Sequence, residues 1–210
     1  MAHIVLLGDS IFDNRVYVGP GPDVITQLRE KLPHDWQATL KAVDGSVVED
    51  VGRQALESPP DATHFVISAG GNNALMNADI LGMSANSAAE VFSVLADRAS
   101  DFELQYREML KIVSSRNLST DVCTIYFPNF SEPTIQKIAT ATLSSFNDVI
   151  LRQAAVAGLP VLDLRLICSE KSDYANEIEP SSRGGEKIAA KILEVAGNHD
   201  FSNKRTSIYF

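Results

Sequence analysis

Two cysteines in 210 residues are too few for a disulfide framework. Nor do they suggest a metal site, because Cys123 lies inside an apolar run and Cys168 in a later loop, without ligand spacing. Both are expected to be reduced and inert. Basic charge is also short: 18 Lys and Arg stand against 27 Asp and Glu, for a formal net charge of -9, and the basic residues are scattered. Such a surface repels phosphate backbones and anionic headgroups, so no nucleic-acid or membrane partner is expected. Long apolar runs are missing too. None matches a bilayer-spanning helix, and the short run at residues 4–7 meets a Gly-Asp-Ser turn too early for a signal peptide. The chain therefore reads as cytoplasmic.

What the chain does have is apolar patterning. Apolar residues make up 45% and charged residues 21%. That is enough for one large core, so one domain is expected over residues 1–210, with residues 197–210 as a polar tail. Short apolar runs at residues 4–7, 37–43, 64–69, 122–127 and 161–164 alternate with helical periodicity at residues 23–32, 47–56, 91–113, 134–157 and 185–195. This alternation predicts an α/β fold, a parallel sheet covered by helices on both faces. Pro22 and Pro33 bracket the first helix, and Ser87 and Glu90 have the capping-box spacing ahead of the third. No repeat, low-complexity tract or linker divides the chain. Ligands of such sheets bind beyond the carboxyl ends of the strands, where Ser10, Gly45, Asn72 and Asn129 fall. Loops over residues 11–22 and 74–86 are expected to wall the pocket, with Phe12, Asn14, Tyr17, Leu75, Met76 and Asn77 among their side chains.

Gly8-Asp9-Ser10 follows the first strand directly, so a sharp turn would lift the Ser10 hydroxyl out at the top of the sheet. Alone, such a triplet is more often a plain turn or helix cap. Gly70-Gly71-Asn72-Asn73 ends the third strand and offers a side-chain amide beside glycines that let backbone approach. An acyl-transfer site needs such a donor where a carbonyl oxygen becomes an anion. Gly45, after the second strand, offers a bare backbone N–H to the same point. Taken separately the glycine clusters are ordinary strand-to-helix turns. Three turns with matching chemistry at three strand ends make a candidate site.

With these blocks the chain resembles the SGNH (GDSL) hydrolases from end to end. Gly8-Asp9-Ser10-Ile11 is similar to the family's nucleophile block, Gly45 to its isolated glycine block, and Gly70-Gly71-Asn72-Asn73 to its Gly-x-Asn-Asp block. The resemblance implies a flavodoxin-like three-layer α/β/α sandwich around a five-stranded parallel sheet. It implies a serine ester hydrolase that forms an acyl-enzyme on Ser10, with an oxyanion hole of the Ser10 N–H, the Gly45 N–H and the Asn72 amide. The expected partner is a small-molecule ester with a small acyl group such as acetyl, and no cofactor or metal is expected.

The fourth block departs from the pattern. Where the family has Asp-x-x-His-Pro, supplying base and orienting acid, this chain has Asn176-Glu177-Ile178-Glu179-Pro180, so Glu179 stands for the histidine and Asn176 for the aspartate. The flanking Pro180-Ser181 and Gly184-Gly185 still match, which makes the change local. His3, His34 and His64 fall at the wrong edge of the sheet, and His199 lies in the tail. A carboxylate with a pKa of about 4.3 is roughly two units weaker than imidazole, about 3 kcal/mol of driving force. Burial recovers part of this. Glu179 thus reads either as the base of a dyad with Ser10 or as a structural carboxylate accepting backbone N–H groups at the last helix. Asp9 and Asp13 are expected to hold the nucleophile turn, while Asp163, Glu170, Asp173 and Glu177 are outside candidates. Three functions compete: an esterase, a weak or inactive binding protein of the same fold, and metal-assisted hydrolysis on Asp9, Glu177 and Glu179, which lacks a histidine ligand.

Overall fold

The computed structural model describes residues 2–210. In chain order its elements are β1 (His3–Gly8), α1 (Val24–Lys31), β2 (Gln37–Leu40), α2 (Val48–Leu56), β3 (His64–Ser68), α3 (Gly71–Met76), α4 (Ala88–Ser114), β4 (Ser119–Cys123), α5 (Pro133–Ala157), β5 (Val161–Leu162), α6 (Leu164–Ile167), α7 (Ser182–Asn198) and β6 (Ile208–Tyr209). The strands are all parallel, in the order β2-β1-β3-β4-β5-β6. Both faces are covered. Val5, Leu7, Phe65, Ile67 and Val122 pack against Val51, Phe102 and Phe146 of α2, α4 and α5. On the other face Ile4, Leu6, Val66 and Leu162 meet Val24 and Leu28 of α1 and Ile188 and Ile192 of α7. Each of these fully buried side chains contributes about 1.5 to 3 kcal/mol, and the result is a three-layer sandwich.

The sheet has six strands where five were expected, because Ile208 and Tyr209, in the stretch read as a polar tail, pair in parallel with β5. A two-residue strand has no periodicity to read. β4 starts and ends earlier than residues 122–127, since its first residues include the buried polar Thr120 and Asp121, which interrupt the apolar run. The stretch read as a loop from residue 74 holds the end of α3 and a 3-10 turn at Ala78–Gly82. Helix ends follow ordinary chemistry: the Asp23 side chain accepts from the Thr26 N–H, and Gly158 closes α5 at φ +68°. Both cysteines are buried and unpaired, and burial pushes the Cys168 thiol up to about 12.

The histidines collect away from the carboxyl edge of the sheet. His3 bonds the Thr39 hydroxyl at 2.8 Å, and buried His64, at the start of β3, pairs with buried Asp121. The His199 ring packs edge-on against Phe201, as does His64, and its Nδ1 meets the Tyr209 hydroxyl at 2.9 Å. His34 is exposed.

Where β1 ends, the backbone must turn against β3. A Cβ on Gly8 would stand 1.8 Å from the Ser68 carbonyl oxygen, and its φ of +127° is one that only glycine adopts freely. Gln54, buried on α2, clamps this point: its Oε1 accepts from the Gly8 N–H at 2.7 Å and its Nε2 donates to the Gly8 carbonyl at 2.9 Å. Gln54→Leu removes both bonds, strands the buried Gly8 N–H and leaves the Gly8 carbonyl with the Val43 N–H alone, at about 2 kcal/mol. Thermal unfolding should show a melting temperature lower by roughly 4 to 8 °C. An unchanged midpoint would mean that other groups hold the turn.

Candidate active site

The clamped turn sets the first functional side chain. The Asp9 N–H donates to the Ser68 carbonyl, and the Phe12 and Asp13 N–H groups return to the Asp9 carbonyl, which closes a tight turn around Ser10. Ser10 is buried to 7% exposure, and its Oγ donates to Glu179 Oε1 at 3.0 Å across 169 residues of sequence. Glu179 reaches this point because its segment is fastened on several sides. Asn176 Oδ1 accepts from the Ile178 and Glu179 N–H groups, both at 2.9 Å. The Ala175 N–H donates to the Glu179 carbonyl, the Tyr126 hydroxyl donates to the Ile178 carbonyl, and Asn14 donates to the Pro180 carbonyl. Ser181, not Glu179, caps α7, accepting from the Gly184 N–H. The Glu179 carboxyl therefore accepts no backbone N–H, contrary to the structural reading of it.

Asn72 lies on the first turn of α3, and its amide donates to the Ser46 carbonyl at 2.8 Å, which ties it to the turn after β2. Gln54 Nε2 also reaches Ser46 Oγ at 3.3 Å, so one buried amide links the turns after β1 and β2 and, through Ser46, that of Asn72. Neither the Ser10 nor the Gly45 N–H donates to any group among the described residues. Ser10, Asn72 and Glu179 line one cavity of about 190 Å³. Gly45, exposed and at φ +81°, does not line it but adjoins Ser46. Asn129 is not on its wall either, and its N–H is spent on the Glu177 carbonyl at 2.8 Å.

The far wall is apolar, with Leu75, Ile125, Ile135, Ile138, Leu143 and Ile178 from α3, α5 and the loops after β4 and β5. Of the side chains expected to line the pocket, Leu75 and Asn77 do so, whereas Phe12 and Asn14 are buried in the fold, Met76 points to solvent, and half-buried Tyr17 stands outside the cavity wall. Asn14 Oδ1 accepts the Val24 N–H, a structural use of its amide. Among the outside candidates, Asp163 pairs with Arg165 at 2.6 Å and Asp173 with Lys187 at 2.7 Å, while Glu177 is exposed. No group of three or more His, Cys, Asp or Glu among the described residues is arranged to hold a metal ion.

Sequence reasoning missed Gln54 and the role of Asn176. The signal for Gln54 was a polar residue beside Val51 and Ala55 on the buried face of α2. For Asn176 it was an Asn two residues ahead of the turn it holds.

Electrostatics sets the site apart. Burial raises the Glu179 carboxyl to about 7, against the lowering effect of the Ser10 hydroxyl and with help from the Asp44 charge. Burial likewise raises Asp9 to about 7, opposed by the Ile11 N–H and assisted by the charge of Glu179. Two neighbouring carboxyls thus titrate near neutrality, where ordinary ones are ionised.

The sequence model of the GDSL-like Lipase/Acylhydrolase family matches residues 6–186, and the chain belongs to that family. Its fold is similar to that of an extracellular lipase from Streptomyces rimosus, at 15% identity over 95% of this chain and 100% of that one, with a TM-score of 0.66. It is similar also to the acetyl xylan esterase AlAXEase, at 16% identity over 92% and 98% of the two chains, TM-score 0.67. A member of the lipolytic protein G-D-S-L family from Veillonella parvula DSM 2008 shares 17% identity over 94% and 100%, TM-score 0.68. Among curated proteins, none matches the sequence. No helix among the described residues is long and apolar enough to cross a membrane.

The raised carboxyls carry a stability signature. Folding favours their protonated forms, so their contribution is complete below about pH 4 and is lost as pH rises through about 7. The melting temperature should fall between about pH 5 and pH 8, and Glu179→Gln should flatten that fall by roughly 3 °C or more. An equally steep fall in the variant would mean that Glu179 is not the group responsible.

Proposed function

We propose that the chain is a serine ester hydrolase in which Glu179 takes the part of the missing histidine. The observation that carries this reading is the 3.0 Å hydrogen bond from Ser10 Oγ to a buried carboxyl whose pKa sits near 7. At that pKa the driving-force deficit against imidazole is gone. In acylation Ser10 Oγ attacks the ester carbonyl carbon while its proton passes to Glu179 Oε1. The carbonyl oxygen becomes an anion facing the free Ser10 N–H and the Asn72 amide, with Gly45 standing beside the cavity and not on its wall. As the tetrahedral intermediate collapses, Glu179 returns the proton to the departing alcohol and leaves an acyl ester on Ser10. Water then attacks this ester with Glu179 again taking the proton, and as the second tetrahedral intermediate collapses the acyl–Oγ bond breaks, the carboxylic acid leaves and Glu179 returns the proton to Ser10 Oγ. Asn176 positions the base by holding its backbone, where an aspartate would orient a histidine ring. The apolar wall has room for an acyl chain of several carbons, longer than the acetyl group first expected.

Hydrolysis of an aryl ester tests this. Ser10→Ala should abolish turnover without unfolding the chain, and Glu179→Gln should lower kcat by about 10²-fold or more. Asn72→Ala should cost about 2.7 to 4 kcal/mol in kcat/KM. Because the carboxylate form is the base, kcat/KM should rise with pH through a midpoint near 7. Glu179→His should restore only part of the rate until Asn176→Asp is added. Undiminished turnover in Glu179→Gln would remove Glu179 from the mechanism. No turnover in the unsubstituted protein would favour a binding protein with an unactivated serine.

A further inference from the structure

The sheet order gives the two sides of Ser10 opposite chemistry. β1, which carries Ser10 at its end, lies between β2 and β3. On the β3 and β4 side the cavity is the apolar wall already described. On the β2 side stands a carboxylate rim. The Tyr17 hydroxyl donates to Asp44 Oδ2 at 2.7 Å, and the Asp44 N–H donates to Asp13 Oδ2 at 2.9 Å. Tyr17 and Asp13 are half-buried and Asp44 is exposed. Among the described residues none of Asp9, Asp13, Asp44 and Glu179 forms an ion pair. The nearest cation in sequence, Arg15, is turned away and donates to the Gly21 carbonyl at 2.6 Å.

A second observation points to a ligand. Glu179 is only 5% exposed and lines the cavity, yet its Oε2 is buried without a hydrogen-bond partner. An unpartnered carboxylate oxygen in a low-dielectric setting is costly unless the group is protonated or positive charge comes near, and a cation favours its ionised form. The rim and this oxygen act as one field, since the Asp44 charge bears on both Glu179 and Asp9. Tyr17 adds a ring face, and its hydrogen bond to Asp44 pushes its hydroxyl up to about 12, so it stays neutral.

We infer that the leaving-group side of the site recognises a quaternary ammonium, so that the preferred substrates are apolar acyl esters of an alcohol bearing that cation. This rests on the ester-hydrolase reading. A quaternary ammonium asks for no directed hydrogen bonds, which suits oxygens of Asp13 and Asp44 that already accept one each. It is excluded from the apolar wall, so acyl chain and cation have one register across Ser10. An anionic leaving group would meet repulsion from the rim.

The probe is butyrylcholine against its carbon isostere, the same ester with the quaternary nitrogen replaced by carbon. The wild-type protein should hydrolyse the choline ester with kcat/KM about tenfold higher at low ionic strength, and 0.5 M salt or Asp44→Asn should shrink that ratio several-fold. Calorimetry on Ser10→Ala should show a similar preference in Kd without turnover. Equal affinity of the two esters for Ser10→Ala, or a ratio untouched by Asp44→Asn, overturns the inference. Hydrolysis of the neutral isostere by the wild-type protein is read separately and reports on the ester-hydrolase reading alone.

Discussion

The contact between the ends of β1 and β3 is the constraint on which the rest of the site depends. No side chain fits at Gly8, where the backbone passes against the Ser68 carbonyl, and the left-handed turn it makes throws Asp9 and Ser10 up over the sheet. Such a turn leaves two backbone groups facing the core, and the Gln54 amide satisfies both with its one donor and one acceptor end. Because that amide also reaches Ser46, and Ser46 receives Asn72, one buried side chain ties together three strand-end loops, beside the direct bond from the Val43 N–H to the Gly8 carbonyl. The cost of ordering these loops is met by the fold before any ligand arrives.

On the proposed reading, a carboxyl in the place of an imidazole changes what the surroundings must do. A histidine needs an orienting acid and tolerates solvent, since its ordinary pKa is already near neutral. Glu179 has to be lifted there by burial, and the lift comes from the same closed environment that leaves its Oε2 without a partner. Orientation, in turn, moves from the side chain to the backbone, where Asn176 accepts two consecutive N–H groups. The substitution of aspartate by asparagine at this position fits that change, because an amide oxygen accepts N–H bonds without adding charge beside an already strained carboxyl.

Much of this was legible in the sequence, and the limits have physical reasons. Strand-end turns announce themselves through glycine and asparagine, so the convergence of Ser10 and Asn72 on one cavity was legible from local chemistry, and the helices from period and caps. The parts that escaped were those whose formation depends on distant partners. The start of β4, expected only from residue 122, hid behind Thr120 and Asp121, polar residues made tolerable by burial against His64 and the β-ladder. β6 is too short to have a pattern. Gly45 was named for a bare N–H, and whereas that group is unpaired, its position beside the cavity and not on its wall depends on how the turn after β2 folds. The effect of burial on a carboxyl is likewise beyond a one-dimensional reading, as Asp9 and Glu179 illustrate by the size of their displacement from ordinary carboxylates.

The two ends of the sheet are finished differently. β2 is a four-residue strand whose outer side is held by Arg29 donating to the Ala38 carbonyl, while β5 is only two residues long and is covered by β6. The chain that covers it runs from α7 past His199 and Phe201, which pack under the buried His64–Asp121 pair's end of the sheet. The last strand therefore works as a selvedge: it covers the backbone of β5 and leaves only two residues at that edge for another strand to pair with.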